Sequence, residues 1–461
     1  MATIIKIRKG LNINLEGKAE RSLSDFVSYE SELHAVFPDD FPGFVPKVSV
    51  KPGDRVLAGT PLMYDKNRPE IKLTSPVSGT IEAVNRGEKR KLLSVFIKAD
   101  KENKYQNFGK KDPGSMTPEE IKSLLAETGI FAFIRQRPYD IIANPQDTPR
   151  DIFVTGFCSA PLAPDFEIQL GATDKPDAFQ TGLNVLAMLT SGKVYLGIHN
   201  TAKLPCLKEA KNVEIVTFEG PHPVGNVSVQ INHIKPVNKG EIVWTMNASD
   251  VSFIGRLFLD ENVILDRLVA LTGSEVPKSD RAYYYTTAGV CLENMVKNCA
   301  EQSHKRLRYI SGNVLTGTQI PSNGFLHAFD NQVTVIPEGD ETHDFLGWIA
   351  PGFDKFSMNR SFPTFAIQAL TKKAYKIDAR IKGGPRAIIM SNEWDKVFPM
   401  DIHPEFLVRA ILTKDIEKME DLGIYEVAPE DFALCEFVDM SKMELQAIVR
   451  QGLNWLYKEL S

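Results

Sequence analysis

Apolar and polar residues alternate along residues 46–84, the most regular stretch near the start of the chain. Spacing with a period of two predicts strands that bury one face. Gly53 and Gly79 interrupt the pattern where a tight turn or a close backbone approach would exclude a Cβ atom. The residues that carry the alternation are Val48, Val50, Val56, Val77 and Ile81.

The two halves of this stretch resemble the strand–turn repeats of the biotinyl/lipoyl type of barrel-sandwich fold. That fold normally offers a lysine at a hairpin tip for a prosthetic group, and Lys66 lies in the corresponding loop, 65–70. The residues around Lys66 are not those that normally surround a carrier lysine. We therefore predict a barrel-sandwich domain over residues 1–100. A prosthetic-group carrier or regulatory binding module remains the alternative function.

Strand-like and helix-like patterns alternate through residues 101–258. Thr117 and Glu120 have the spacing of a capping box, and Gly129 follows as a helix stop. Such an alternation predicts a parallel α/β layer of Rossmann-like type. The segments concerned are strands at 152–156, 194–198 and 213–218 and a helix at 176–191.

The turn after the first of these strands, residues 156–161, has one glycine. A dinucleotide-binding turn has three, spaced G-x-G-x-x-G, so we expect a Rossmann-like layer without that phosphate-binding loop. Residues 227–234 are predicted to form a strand. Residues 235–244 faintly repeat the pattern of 51–56 and are predicted to supply strands that return to the first barrel.

The second half of the chain changes from strands to helices. Residues 259–340, mainly β with a short helix at 291–296, predict a β-grasp domain. Residues 341–375 are predicted to connect it to a helical domain over 376–461. Helical periodicity at 404–422, and a capping box at Ser441 and Glu444 that opens a second helix, predict a small bundle. The fold class is therefore α+β, in several domains.

Composition narrows the class of function. The net charge is −5, without a basic stripe of the kind that nucleic acid requires. No apolar run is long enough for a bilayer crossing, and the N-terminus lacks the apolar core of a signal peptide, so we expect a cytoplasmic location.

The five cysteines form no C-x-x-C pair. His199, His222, His233 and the neighbouring His343 and Asp344 lack metal-ligand spacing, so no catalytic or metal residues are predicted.

Several ordered strings together resemble the A subunits of the bacterial sodium-translocating NADH:quinone reductases. The match runs nearly end to end. Its strings are residues 6–11, the opening stretch 46–84, and residues 85–90, 148–156, 161–165, 220–226, 236–240, 243–245, 311–317, 345–348 and 429–438.

This resemblance implies a six-subunit complex of the bacterial inner membrane that oxidises NADH, reduces ubiquinone or menaquinone and exports Na⁺. The A subunit would be its peripheral component on the cytoplasmic side, with integral membrane subunits as its chief partners. Its fold would be similar to the flavin-binding subunit of respiratory complex I and to the Rnf C subunit. Those relatives carry a flavin loop and a cysteine cluster, whereas here Cys435 stands alone and Asp439 takes the place of a second cysteine. NADH, FAD, FMN, riboflavin and the iron–sulfur cluster are therefore expected on other subunits.

The family resemblance also links the A subunit with quinone. A quinone head needs an apolar slot and one or two hydrogen-bond donors. The alternative for the same residues is packing between domains or docking onto the membrane subunits. The candidate quinone-binding residues are Phe37, Phe41, Phe44, Phe131, Phe133, Arg135 and Arg137.

Overall fold

The computed structural model describes most of the chain in four sheets and a group of helices. His343, Asp344 and the string 345–348 lie outside the described residues. The described residues are 4–20, 26–173, 176–303, 305–340, 355–358, 362–371 and 373–460.

The strands in the described part of the chain fall mainly before residue 338. In chain order they are β1 Ile4–Lys6, β2 Val27–Ser28, β3 Leu33–Val36, β4 Pro46–Val48, β5 Arg55–Val56, β6 Pro61–Asp65, β7 Lys72–Thr74, β8 Gly79–Arg86, β9 Leu92–Ala99, β10 Arg135–Arg137, β11 Ile141–Ile142, β12 Asp151–Thr155, β13 Val194–His199, β14 Glu214–Glu219, β15 Val243–Asn247, β16 Asp266–Thr272, β17 Tyr283–Thr287, β18 Leu307–Ser311, β19 Thr318–Ile320 and β20 Gln332–Pro337.

The helices are concentrated in the middle and at the end of the chain. They are α1 Pro118–Glu127, α2 Phe166–Thr173, α3 Pro176–Met188, α4 Pro205–Lys208, α5 Val227–Ile234, α6 Ala248–Asp260, α7 Glu293–Gln302, α8 Thr364–Leu370, α9 Trp394–Val397, α10 Pro404–Thr413, α11 Ile416–Asp421, α12 Ala433–Val438 and α13 Leu445–Leu460.

Two small sheets form the barrel-sandwich, in the orders β3-β9-β8-β5 and β4-β6-β7. The two glycines of the opening stretch behave as the sequence predicts. Gly53 has a φ of +91°, and a Cβ on Gly79 would lie 2.1 Å from the carbonyl oxygen of Lys98. Gly53 thus allows a turn with positive φ, and Gly79 allows β8 to approach the backbone of β9 closely, as the sequence predicted.

A seven-stranded sheet forms the α/β layer, in the order β1-β14-β13-β12-β15-β10-β11. The run β14-β13-β12-β15 is parallel, as in a Rossmann-like layer. Helices α3 and α6 approach closely because they meet at glycines. A Cβ on Gly255 would lie 1.7 Å from the carbonyl oxygen of Ala178, and one on Gly182 would lie 2.3 Å from that of Val251.

Two predictions in this layer are wrong. Residues 227–234 form helix α5, not a strand. Residues 227–232 alternate apolar and polar side chains, which is the pattern of a half-buried strand, although Ser228, Val229, Gln230 and Ile231 are all buried in the helix. The segment 235–244 does not return to the barrel, because it leads into β15, which pairs with β12 and β10 inside the α/β sheet.

The β-grasp sheet has the order β19-β18-β20-β16-β17-β2, with helix α7 packed on it through Met295, Val296 and Cys299. Its helix begins two residues later than predicted and extends to Gln302. The first residues of the chain join other domains: β1 pairs with β14 of the α/β sheet and β2 with β17 of the β-grasp sheet. Strands β1 and β2 thus connect the start of the chain to the other two sheets.

The C-terminal helices pack around Trp394 and share one apolar core with the outer part of the α/β sheet. The predicted helix at 404–422 is divided at Lys414, which has a φ of +54°. The Ser441 capping box does not form, since the Ser441 hydroxyl donates to the carbonyl of Ala387 and α13 begins at Leu445. None of the helices in the described part of the chain combines the length and the apolar character that crossing a membrane takes.

Candidate functional site

A narrow cleft lies where the barrel-sandwich, the α/β layer and the β-grasp domain meet. Its cavity volume is about 40 Å³, room for roughly three water molecules. A ring-sized ligand would enter only if side chains moved. The lining residues are Ala35, Val36, Phe37, Asp40, Phe41, Leu73, Thr74, Pro76, Gly129, Phe133, Leu265, Ala288, Gly289 and Ala328.

Aromatic rings form one wall of the cleft. The ring centroid of Phe41 lies 5.8 Å from that of Phe133 and 5.3 Å from that of Phe329. Phe133 in turn contacts Phe253 edge-on at 5.4 Å. Three of the predicted residues therefore line the cleft, namely Phe37, Phe41 and Phe133. The sequence analysis missed Phe329 and Phe253, which come from the β-grasp domain and helix α6.

Arg135 lies beside this aromatic wall. Its Cζ atom lies 4.2 Å from the ring centroid of Phe329, a cation–π geometry. Its Nε atom is buried and has no hydrogen-bond partner among the described residues. Arg135 thus brings one uncommitted donor close to the cleft, as a ligand oxygen would require.

A second arginine lies deeper. Arg267 Nη2 is 3.5 Å from Asp250 Oδ1, too far for a hydrogen bond, although Nη1 donates to Asn331 Oδ1. Within the described chain, Nε and Nη2 of Arg267 and Oδ2 of Asp250 have no hydrogen-bond partner. Burial raises the pKa of Asp250 and lowers the pKa of Arg267, so neither group strongly fixes the other's charge. Arg135, Asp250 and Arg267 are called the inner belt below.

A histidine–aspartate pair lies at the cleft and joins two domains. Asp40, in the short helical turn Pro38–Asp40, is 2.5 Å from His327 Nδ1, and it accepts a 2.8 Å bond from the N–H of Ala328. The ring of Phe37 stacks on the imidazole at 4.8 Å. Burial alone would lower the pKa of His327. The hydrogen bond to Asp40 and the charge of Asp40 raise that pKa by more, so the net shift is upward.

Asp330 follows His327 by three residues and lies just behind this pair. Burial raises the pKa of the Asp330 carboxyl to about 6, although Ser311 donates to it at 2.7 Å. The string His327–Asp330 thus places two titratable side chains with raised pKa values next to the Asp40 side of the cleft. The only sequence signal was a histidine next to aromatic and acidic residues between two strands.

The remaining candidates lie elsewhere. Phe44 and Phe131 belong to the apolar core, and Phe131 packs edge-on against Trp244 at 5.4 Å. Arg137 is buried at the border with the C-terminal helices, where its Nη1 atom lies 2.6 Å from Asp140 Oδ1. None of these three residues lines the cleft.

Arg137 is part of a second charged group, called the border cluster below. Asp140 also accepts from Arg450 of α13, whose Nη1 donates to the carbonyls of Tyr139 and Asp140 at 3.0 Å. The guanidinium of Arg137 further donates to the hydroxyl of Ser228 at 3.1 Å. Burial alone would raise the pKa of Asp140, but the three arginines around it lower the pKa to about 2.

The carboxyl ends of β12 and β15 mark the place where Rossmann folds hold their dinucleotides. Here side chains from the β-grasp domain lie at that edge. Gln332 Nε2 donates to the carbonyl of Pro161 at 3.3 Å, and Asn331 Nδ2 donates to Ser249 Oγ at 3.2 Å. The domain arrangement thus covers the edge with the chain's own polar groups.

Two further residues are held in place by local contacts. Asp439 accepts from Trp394 Nε1 at 3.2 Å and from the N–H of Met443 at 2.9 Å, beside the buried Cys435. Lys66 is exposed, but its loop is tied to the α/β layer by Arg68, which binds Asp65 and the carbonyl of Ile142. No group of three or more histidines, cysteines and carboxylates with metal-binding geometry occurs among the described residues.

Family models match three parts of the chain. They are described as the NqrA N-terminal barrel-sandwich hybrid domain, over residues 5–100, the NqrA second alpha/beta domain, over 116–263, and the NQRA C-terminal domain, over 268–322. The first two models agree with the barrel-sandwich and α/β layers, and the third falls within the β-grasp sheet.

Whole-length relatives carry one name, that of the A subunit of the Na(+)-translocating NADH-quinone reductase. The protein of Saccharophagus degradans is 34% identical over 459 residues, which cover 99% of this chain and 100% of the relative. That of Rhodopirellula baltica is 33% identical over 462 residues, with 99% of each chain covered. That of Neisseria meningitidis is 33% identical over 459 residues, with 99% and 100% covered.

Proposed function

Because the chain belongs to the family of Na(+)-translocating NADH-quinone reductase A subunits, we propose that it is the peripheral, cytoplasmic-side component of a bacterial inner-membrane complex. That complex oxidises NADH, reduces ubiquinone or menaquinone and exports Na⁺. The chain itself is a docking subunit that transfers no electrons. FAD, FMN, riboflavin and the iron–sulfur cluster are held by other subunits, and the covered edge of the α/β sheet is consistent with this division.

The observation that carries the docking role is a stretch of exposed apolar side chains. Leu370 of α8 is 85% exposed and Ile381 is 58% exposed. Phe365, Ile389 and Met390 are exposed in the same stretch. Concentrated exposed apolar groups mark interaction sites more often than free surface. We take the described residues 365–371 and 373–390 as the docking segment for the integral membrane subunits.

A membrane pull-down tests this role. The double variant Leu370→Gln, Ile381→Gln should fail to co-purify with the membrane subunits, because polar groups would then face the partner. The control is Leu259→Gln, since Leu259 is 45% exposed on α6 of the α/β layer. Equal recovery of subunits with both variants would contradict the assigned segment. Recovery of no membrane protein with the unmodified chain would contradict the docking role itself.

A second role is binding of a quinone ring in the cleft, supported by three features. Phe41 and Phe133 supply apolar walls, the Nε atom of Arg135 supplies a donor without a partner among the described residues, and His327 supplies an imidazole whose pKa is raised by Asp40. Since the cavity is small, the ring would be admitted by movement of the Phe37 turn. The electrons would come from a cofactor on another subunit.

A thermal shift experiment tests this role. A short-chain ubiquinone should raise the unfolding temperature of the chain in detergent, because it binds the folded state alone. Phe329→Leu should abolish the shift. Phe356→Leu, at a half-buried ring that contacts Tyr375 and Phe437 away from the cleft, should keep it. A shift that survives in both variants would exclude this cleft.

The carrier alternative makes a different prediction. A biotinyl or lipoyl group on Lys66 would add mass to the purified chain. Because the Lys66 loop is bound to the α/β layer through Arg68, it lacks the free hairpin tip that a carrier would use. We expect the unmodified mass. Bound FMN, visible as a yellow colour, would instead support an autonomous flavin-dependent NADH dehydrogenase.

A further inference from the structure

The hairpin between β8 and β9 ends in a strongly basic tip. Residues 86–91 read Arg-Gly-Glu-Lys-Arg-Lys, four cations and one carboxylate in six residues. All five charged side chains are exposed. Lys89 and Arg90 have φ angles of +51° and +62°, so the backbone turns sharply at the tip. The whole chain carries a net charge of −5, which makes this local excess of positive charge distinct.

An apolar side chain accompanies the cations. Leu93, two residues beyond the tip, is 42% exposed and lies against Gly87, where a Cβ would be 3.2 Å from Leu93 Cδ1. A leucine flanked by lysines and arginines suits the boundary between headgroups and water. One arginine side chain makes a hydrogen bond within the tip: Arg86 Nη1 donates to the carbonyl of Arg90 at 3.1 Å.

The tip lies beside the mouth of the cleft. Lys91 Nζ is 2.6 Å from Asp39 Oδ2. Asp39 immediately precedes Asp40, which lines the cleft, and follows Phe37 by two residues. A surface that received the basic tip would therefore also meet the opening of the cleft.

We propose that this hairpin tip binds anionic lipid headgroups at the membrane surface and thereby holds the mouth of the cleft toward the bilayer. The charge complementarity is direct, since the surface of an anionic bilayer attracts clustered lysines and arginines within a Debye length. A quinone with its tail in the bilayer would then have a short path to the aromatic wall. The orientation of the cleft toward quinone rests on the proposed quinone role. The lipid binding itself does not, because it is argued only from the residues of the hairpin.

Vesicle binding tests the proposal with the full-length chain. It should bind phosphatidylcholine vesicles that contain phosphatidylglycerol, bind pure phosphatidylcholine vesicles weakly, and dissociate at high salt. The triple variant Arg86→Gln, Lys89→Gln, Arg90→Gln should weaken binding by about fivefold for each cation, roughly a hundredfold in all. The matched control is Lys203→Gln, Lys208→Gln, Lys211→Gln, which removes the same charge from exposed positions around α4.

The outcomes are distinct. Equal weakening by both triple variants, equal binding to neutral vesicles, or no binding to anionic vesicles would each overturn the proposal. If the hairpin variant binds vesicles normally but no longer assembles with the membrane subunits, the tip contacts an acidic protein surface instead, and lipid binding is refuted. The thermal shift with quinone is measured in detergent without these vesicles. Its result therefore separates failure of the lipid contact from failure of the quinone site.

Discussion

Two buried charged groups lie at domain borders of this protein, and they differ in how completely their hydrogen bonds are satisfied. In the border cluster, Asp140 receives bonds from Arg137 and Arg450, and both arginines have further acceptors. In the inner belt, Arg135, Arg267 and Asp250 each keep a buried polar atom without a partner in the described chain.

The difference separates a structural role from a binding role. A buried charge network in which every hydrogen bond is made holds domains in one arrangement. A network with unpartnered donors lowers the stability of the fold, because no hydrogen bond offsets the desolvation cost of burying those donors. This desolvation cost is offset where a further group accepts hydrogen bonds from those donors. Arg135 connects the two, since its Nη1 atom is 3.6 Å from Asp140 while its Nε points to no acceptor in the described chain. We therefore propose that the border cluster holds the domains together and that the inner belt contacts a ligand.

The largest expected effect comes from removing the centre of the border cluster. Asp140→Asn should lower the free energy of unfolding by about 3–5 kcal/mol, because it leaves buried guanidinium groups without their counter-charge. Asp250→Asn in the inner belt should cost only about 1 kcal/mol, since burial already disfavours its charge. Urea denaturation of both variants measures the two losses in the free energy of unfolding. Equal losses would remove the distinction between the two groups.

Two buried carboxyls, Asp140 of the border cluster and Asp330 behind the His327–Asp40 pair, should respond to pH in opposite directions. The pKa of Asp140 is lowered to about 2, so its stabilisation is complete above its unfolded pKa of about 4. It should disappear as the pH falls from there toward 2, a loss of about 2 kcal/mol. The pKa of Asp330, behind the His327–Asp40 pair, is raised to about 6, so stability should instead fall as the pH rises from about 4 to 6. Denaturation curves across pH 2–7 for the unmodified chain, Asp140→Asn and Asp330→Asn separate these two slopes.

The variant Arg135→Gln should distinguish a ligand-binding role of Arg135 from a structural one. It should weaken binding of a short-chain quinone by about tenfold, equal to the loss of one charge-assisted donor. Its effect on stability should be small, because the border cluster retains Arg137 and Arg450. Titration of the variant with quinone and a parallel urea denaturation are the measurements. Unaltered affinity with a large loss of stability would make Arg135 a structural residue.

The smallest effect concerns the pair that closes the cleft. His327→Gln should destabilise the protein by about 1 kcal/mol below the unfolded histidine pKa of about 6.5. This contribution belongs to the imidazolium paired with Asp40, so it should vanish as the pH rises through the raised pKa of His327. Above that pH the variant and the unmodified chain should have the same stability. A constant difference at all pH values would mean that Phe37 stacking, rather than charge, holds the contact.

Local patterns in the sequence predicted much of the fold. The Thr117 capping box forms as expected, with Thr117 Oγ1 accepting from Glu120 N and Glu120 Oε2 accepting from Thr117 N. The turn at Gly53, the close backbone approach at Gly79 and the parallel α/β order also follow the predicted pattern. Helix α5 was mistaken for a strand because residues 227–232 alternate apolar and polar side chains. Strand β15 was misassigned because strand pairing between distant segments leaves no local signal.

The candidate site was less predictable than the fold, because contacts between distant segments leave no local signal in the sequence. Phe37, Phe41 and Phe133 could be proposed because each lies in a short aromatic string. Their partners could not, because Phe253, Arg267 and Phe329 are brought together only by the packing of the β-grasp domain on α6. Arg137 resembled a ligand donor in the sequence. Its commitment to Asp140 depends on a cluster completed by Arg450, more than three hundred residues away along the chain.

The most direct test of the distinction between the two charged groups is to label the assembled complex with a photoreactive short-chain quinone and identify the modified peptides by mass spectrometry. We predict labelling within residues 37–41, 133–135 or 327–329, competed by excess unlabelled quinone and reduced by Arg135→Gln. Competable labelling that is confined to the border cluster, at Asp140 or Arg450, or that is absent from this chain altogether, would contradict the assignment of the inner belt to ligand contact.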